Sequence, residues 1–146
     1  MENQQVKFRG KTRAGKWLYG SLINNIFSDS KTKKAMTYII DPDYIEDAVI
    51  PETVGQWTGL KDIDGKEVYD GDIIKSNIYP FYCEKKLNYV GIVEYDNNLA
   101  AWYYELKKVS NRVGGGSVGG MLQNIIPFDF NVIGNITDNS EILEIR

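Results

Sequence analysis

Short stretches in which apolar and polar residues alternate dominate the N-terminal half of the chain. Residues 6–9 alternate in this way, and residues 16–23 form a second apolar-rich stretch after a polar turn. A period of two is typical of a strand with one buried face, so these two segments predict a hairpin. Residues 36–40 and 44–50 predict two more short strands around an Asp-Pro-Asp turn.

The C-terminal half repeats this pattern with tighter turns. Asp64-Gly65 and Asp70-Gly71 favour such turns because both residue types tolerate positive φ angles. Five short strands are predicted at residues 72–75, 91–95, 99–106, 125–130 and 132–136. Closely spaced short strands of this kind predict a small barrel of the SH3 or OB size class.

These elements together predict a mainly β protein. The expected fold is a small SH3-like or OB-sized barrel in the C-terminal half, with an N-terminal β-hairpin region and a short C-terminal helical turn. Asp138-Asn139-Ser140 offers the N-cap of that turn. A division near residue 70 gives an N-terminal region 1–69 and a C-terminal barrel 70–146. No Pro-rich or Ser-rich linker marks the division, so packing of both halves as one unit stays open.

The composition supports strands and limits the expected partners. The 146 residues include 10 Tyr, 5 Phe and 3 Trp, which favour strands over helices. The net charge of −3 and the pI near 5.0 give no overall attraction to nucleic acid or to an anionic membrane. With no signal peptide and no long apolar stretch, we expect a cytoplasmic protein without a membrane partner.

The chain contains no histidine and a single cysteine, Cys83. Ser–His and Cys–His nucleophile pairs are therefore excluded, as are His-ligated metal sites and an intrachain disulfide. A free cysteine beside aromatic residues is typical of a small core hydrophobe. We expect neither catalytic residues, nor a metal, nor a cofactor.

Two motifs resemble known ligand sites without completing them. The loop Gly114–Gly120 satisfies G-x-G-x-x-G, but Pro127 follows too soon for the helix that a dinucleotide site needs. We interpret this glycine-rich segment as a flexible hairpin loop, and a role for it in binding stays open. The acidic residues between Asp62 and Asp72 do not fit calcium-loop spacing and indicate turn-forming carboxylates. A carboxylate-based hydrolase is the remaining enzymatic alternative.

Basic residues next to aromatic residues provide the candidate interaction surface. Such neighbours are typical of single-strand binding on small barrels. Solvated lysines beside core aromatic residues are the alternative, which the acidic pI favours. The candidate residues are Trp57, Tyr79, Tyr82, Lys85, Lys86, Trp102 and Tyr104.

The run from residue 52 to residue 75, with Gln56-Trp57-Thr58-Gly59-Leu60-Lys61-Asp62 at its centre, resembles the YopX family of bacteriophages and prophages. The segments 7–9, 19–22 and 132–143 also resemble the corresponding parts of that family. Ser140 replaces the usual proline, and residues 107–124 are longer and richer in glycine than expected.

The resemblance implies a mostly β fold with barrel character, a phage origin and therefore a bacterial host cytoplasm. It implies no mechanism, and homo-oligomers are a further implication. The leading hypothesis is a non-enzymatic phage accessory protein that acts as a binding or self-assembling module. The alternative is a nucleic-acid-binding regulator that uses an aromatic barrel face.

Overall fold

The computed structural model describes residues 5–24, 36–43, 46–76, 89–109, 112–113, 119–121 and 130–144. Within these ranges the secondary structure is β-strand apart from two short 3₁₀ helices, Pro51–Thr53 and Ser140–Leu143. The predicted mainly β class is therefore confirmed, and so is the short C-terminal helical turn.

The described strands form two antiparallel sheets. The strands are β1 (Phe8–Lys11), β2 (Trp17–Asn24), β3 (Thr37–Ile40), β4 (Glu46–Ala48), β5 (Gly55–Lys61), β6 (Glu67–Tyr69), β7 (Asp72–Ser76), β8 (Tyr89–Asp96), β9 (Ala101–Val109), β10 (Arg112–Val113), β11 (Gly119–Met121) and β12 (Phe130–Asn135). The first sheet has the order β4-β3-β2-β1-β5, with β6 beside β5, and the second has the order β10-β9-β8-β7-β12, with β11 beside β9.

The chain divides into two compact units, Met1–Gly59 and Leu60–Arg146. The boundary lies within β5, about ten residues before the division that the sequence predicts. The difference has a physical reason in Val68, which is 0% exposed and packs with Ile74 and Val93. Because its apolar side chain is buried there, β6, the strand that carries Val68, belongs to the C-terminal unit.

The N-terminal unit is organised around one side of its sheet. Leu22 lies directly across from Ile39 in the β2–β3 register, and both side chains point to the core. Gly20 is required on this strand because a Cβ there would clash with the backbone carbonyl oxygen of Ile40. The cluster consists of Leu18, Ile39 and Val49, with Phe8, Leu22 and Val54 packed against it.

The C-terminal unit has the larger core. Five consecutive residues from Tyr89 to Val93 are buried on β8, whereas β9 alternates and buries Tyr104 and Leu106. Phe130 of β12 is 1% exposed and completes this arrangement. The cluster consists of Val68, Ile74, Tyr89, Val93, Tyr104, Leu106 and Phe130, with Leu60, Trp102 and Val132 packed against it.

The expected barrel takes the form of an open sheet, and no closed barrel is formed by the strands that the structure describes. β12 lies at one end of this sheet. There its Val132 N–H donates to the carboxylate of Asp62, at 3.0 Å. Since a side chain accepts this hydrogen bond in place of a strand backbone, the ladder does not continue beyond β12 at this position.

Candidate functional site

Three cations alternate along β1 and the residue before it. Lys7, Arg9 and Lys11 are separated by Phe8 and Gly10, and Phe8 packs against the N-terminal core. Because side chains alternate between the faces of a strand, the three cations share the side of the sheet opposite to that core.

Each of these cations lies across from an aromatic residue on a neighbouring strand. The register of β1 with β2 sets two of the pairs. The third is set by a backbone hydrogen bond of 2.8 Å, which the Trp57 N–H donates to the Lys7 carbonyl. The pairs are Lys7 with Trp57, Arg9 with Tyr19, and Lys11 with Trp17. We call these six residues the basic–aromatic face.

The three cations of this face are in cation–π contact with its two tryptophans. The Lys7 ammonium lies 4.5 Å from the centroid of the Trp57 ring, and the Arg9 guanidinium carbon lies 5.0 Å from that of Trp17. The Lys11 ammonium is 6.0 Å from the same Trp17 ring. Contacts within about 6 Å are attractive because the ring face is electronegative, so cations and rings position one another.

Exposure differs among the residues of the face. Tyr19 is 45% exposed, whereas Arg9 is only 7% exposed. Trp17, Trp57 and Lys11 are half-buried. Arg9 therefore serves mainly to hold the Trp17 ring, while the Tyr19 ring offers the largest accessible surface among these aromatic residues.

The charge of this segment differs from that of the chain. Residues 5–24 contain five Lys or Arg and no Asp or Glu, in a chain of net charge −3. Two of the five, Arg13 and Lys16, are exposed in the turn between β1 and β2. Our sequence interpretation missed this face because it weighed charge over the whole chain. The run of cations without a carboxylate is the signal that could have revealed it.

The residues of the predicted interaction surface are not brought together in the described part of the chain. Trp57 belongs to the basic–aromatic face, whereas Trp102 packs against the C-terminal core and meets Tyr95 edge to face at 5.2 Å. Tyr104 is 3% exposed and is therefore a core residue rather than part of a surface. Outside the described residues lie Tyr79, Tyr82, Cys83, Lys85, Lys86 and residues 114–118 of the glycine loop.

Among the acidic residues between Asp62 and Asp72, which we call the acidic run, Asp62 accepts backbone hydrogen bonds with both carboxylate oxygens. It is 7% exposed, and one carboxylate oxygen accepts from the N–H groups of Asp64 and Lys66, at 2.9 and 2.8 Å. The other oxygen accepts from Val132. Asp62 therefore fastens the Asp-Gly turn to β12, which is the turn-forming role that the sequence indicates.

Asp72 has a similar local role. Its side chain is 1% exposed and accepts a hydrogen bond of 2.8 Å from the Tyr69 N–H, which closes the turn before β7. Among the residues that the structure describes, no group of three or more His, Cys, Asp or Glu residues is arranged to hold a metal ion. Asp62 and Asp72 are thus built into turns.

A second group of charges surrounds Tyr103 on β9. Burial raises the pKa of Tyr103 from its ordinary value of 10.0, and the negative charges of Glu105, Glu94 and Asp96 raise it further. Lys107 acts in the opposite direction and forms a 2.6 Å ion pair with Glu105. The outer side of the β8–β9 hairpin is therefore acidic, in contrast to the hairpin of β1 and β2.

Fold and site define an all-β protein of two antiparallel sheets that carries a cation–aromatic face on its N-terminal hairpin. The chain belongs to the YopX family, because the model of that family, described as YopX protein, matches residues 7–144. This confirms the resemblance in the sequence. Comparison with curated proteins finds no match.

One solved structure with a similar fold is the crystal structure of protein EF1440 from Enterococcus faecalis. It is 24% identical with a TM-score of 0.51, and the alignment covers 96% of this chain and 99% of that one. This similarity supports the fold alone. No helix in the described ranges has the length and apolar character needed to cross a membrane.

Proposed function

We propose that this YopX-family protein is a non-enzymatic binding module and that the basic–aromatic face is its contact surface for a negatively charged partner. One observation carries the proposal: Lys7, Arg9 and Lys11 each lie across from an aromatic ring, and the segment 5–24 that carries these cations contains no carboxylate. Clustered charge of one sign attracts a partner of the opposite sign and speeds association.

The absence of histidine from the sequence supports a non-enzymatic role, because it removes the commonest general acid and base. The two buried carboxylates of the acidic run serve the fold instead. Asp62 and Asp72 accept hydrogen bonds from backbone N–H groups and shape turns. A general acid–base pair would need to face a substrate.

A phage origin, which the family resemblance implies, supports an activity in the cytoplasm of a bacterial host as part of this proposal. Self-association is the alternative within the same proposal. The observation in its favour is the tip of the β8–β9 hairpin, where Leu99 is 61% and Tyr95 is 45% exposed. Light scattering tests it, since a strict monomer at high concentration would exclude self-assembly.

Affinity for immobilised heparin, a generic polyanion, tests the proposed contact surface. The variant Lys11→Gln/Arg13→Gln/Lys16→Gln removes three charges from the β1–β2 hairpin. We expect it to elute at clearly lower salt than the wild-type protein, because each lost charge reduces counterion release.

A matched control removes the same number of charges from the C-terminal unit, as Lys61→Gln/Lys66→Gln/Lys75→Gln. We expect it to elute close to the wild-type position. Equal elution of the two triple variants, or no retention of the wild-type protein at low salt, would contradict the proposal.

A further inference from the structure

We infer that the partner of the basic–aromatic face is single-stranded nucleic acid, an inference that rests on the proposed function of this face. Its geometric basis is the repetition of cation and ring along β1. Residues two apart on a strand are separated by about 7 Å. Lys7 and Lys11 are four residues apart and both half-buried, so they lie about two phosphate steps of an extended single strand apart and can contact its backbone on either side of the buried Arg9.

The aromatic rings supply surfaces on which unpaired bases can stack. Tyr19 on β2 is 45% exposed, and Trp57 on β5 is half-buried, so rings lie on both strands that flank β1. Stacking on aromatic side chains is the part of single-strand recognition that tolerates any base sequence. Antiparallel sheets with exposed rings bind RNA in this way in other folds.

The cations divide into a positioning residue and phosphate-binding residues. Arg9, at 7% exposure, lies 5.0 Å from the Trp17 ring and holds it in place. Lys11 is half-buried, and Arg13 and Lys16 are exposed, so these three are accessible to phosphate oxygens. Backbone contacts of this kind supply affinity without sequence selectivity.

A single strand fits the face better than a duplex or an acidic peptide does. In a duplex the bases are stacked inside, and an acidic peptide offers carboxylates without bases. Either partner would use the cations and leave the exposed ring of Tyr19 unused. Removing that ring therefore separates single-strand binding from general attraction to polyanions.

The test is the fluorescence anisotropy of a fluorescein-labelled oligothymidine titrated with the full chain at about 50 and 200 mM salt. We expect Tyr19→Leu to weaken binding about ten-fold, in line with the loss of one stacked base. Tyr19→Phe keeps the ring and should bind like the wild-type protein. Tyr95→Leu is the matched control, because Tyr95 has the same 45% exposure on β8 and should leave the affinity unchanged.

Unlabelled duplex of matching length and polyglutamate serve as competitors, and thermal unfolding shows that each variant is folded. The inference is supported if duplex and polyglutamate both compete weakly, and if Tyr19→Leu loses affinity while Tyr19→Phe and Tyr95→Leu do not. If duplex or polyglutamate competes as well as the single strand, and Tyr19→Leu binds normally, the inference fails while the proposed polyanion surface stands. If no polyanion binds at low salt, both fail.

Discussion

The carboxylate of Asp62 accepts a hydrogen bond from the backbone N–H of Val132, 70 residues further along the chain. The same carboxylate accepts from Asp64 and Lys66 within its own turn. One buried side chain therefore joins the turn after β5 to the last strand of the C-terminal sheet. Its carboxylate is the acceptor for three backbone N–H groups, which would have no acceptor there without it.

Replacing Asp62 by alanine should lower the free energy of unfolding by roughly 3 kcal/mol, because three backbone N–H groups lose one charged acceptor. Asp62→Asn keeps one acceptor oxygen and should cost less. Urea unfolding measures both. Asp64→Ala is the control, since it removes only the exposed hydrogen bond from the Asn131 side chain and should cost less than about 1 kcal/mol. Equal losses in Asp62→Ala and Asp64→Ala would refute the role given to Asp62.

Gly20→Ala should destabilise the N-terminal unit by about 2–3 kcal/mol, because the added Cβ would meet the Ile40 carbonyl oxygen and force β2 and β3 apart. Gly15→Ala is the matched change in the same hairpin. It adds a Cβ at a φ of +89° that would meet only Cε of Lys11, at an ordinary contact distance of 3.9 Å, and should cost about 1 kcal/mol through backbone strain. Thermal unfolding followed by tryptophan fluorescence compares the two, and a larger loss in Gly15→Ala would contradict the close approach at Gly20.

Val68→Ala should weaken the C-terminal unit by about 2 kcal/mol, since it leaves a cavity beside Ile74 and Val93. Amide hydrogen exchange locates the effect: the amides of β7 and β8 should exchange faster, whereas those of β2 and β3 should change less. Leu18→Ala, in the N-terminal core, should give the reverse pattern. Faster exchange confined to the N-terminal strands in Val68→Ala would show that the unit boundary is misplaced.

Tyr103 should titrate above the ordinary tyrosine pKa of 10.0 because of burial and its neighbouring carboxylates. The raised pKa means that folding favours the neutral phenol. This contribution to stability is fully present below pH 10.0 and is lost as pH rises through the raised pKa. Glu105→Gln removes one negative charge and frees Lys107, so the pKa of Tyr103 should fall.

Tyrosinate absorbance, taken as the difference between each protein and its Tyr103→Phe counterpart, isolates this residue from the other tyrosines. Glu52→Gln, a change of an exposed carboxylate in the N-terminal unit, is the control and should leave the titration unchanged. A Tyr103 titration that does not move in Glu105→Gln would contradict the electrostatic account.

Much of the fold could be predicted from local pattern, because alternation and Asp-Gly turns report directly on strands. Val6 to Arg9 and the segment around Leu18 were expected as a hairpin, and β1 and β2 form one. The position of the boundary between the two units could not be predicted from local sequence pattern. It depends on which core buries Val68, and that is decided by packing against residues far along the sequence.

The candidate site was predicted only in part. Trp57 was expected at an interaction surface and lies on the basic–aromatic face, but Tyr104 is buried in the core. The pairing of Lys7 with Trp57 joins residues fifty positions apart, so it required the register of β1 with β5. Sequence neighbours alone cannot show which cation meets which ring.

The central claim, that the basic–aromatic face is a contact surface, is tested most directly by chemical-shift mapping of the full chain during titration with oligothymidine. We predict that the amides of β1, β2 and the Trp57 end of β5, together with the Trp17 and Trp57 indole N–H groups, shift most, and that the shifts diminish as salt is added. Shifts confined to the β8–β9 hairpin, or none at low salt, would contradict the account.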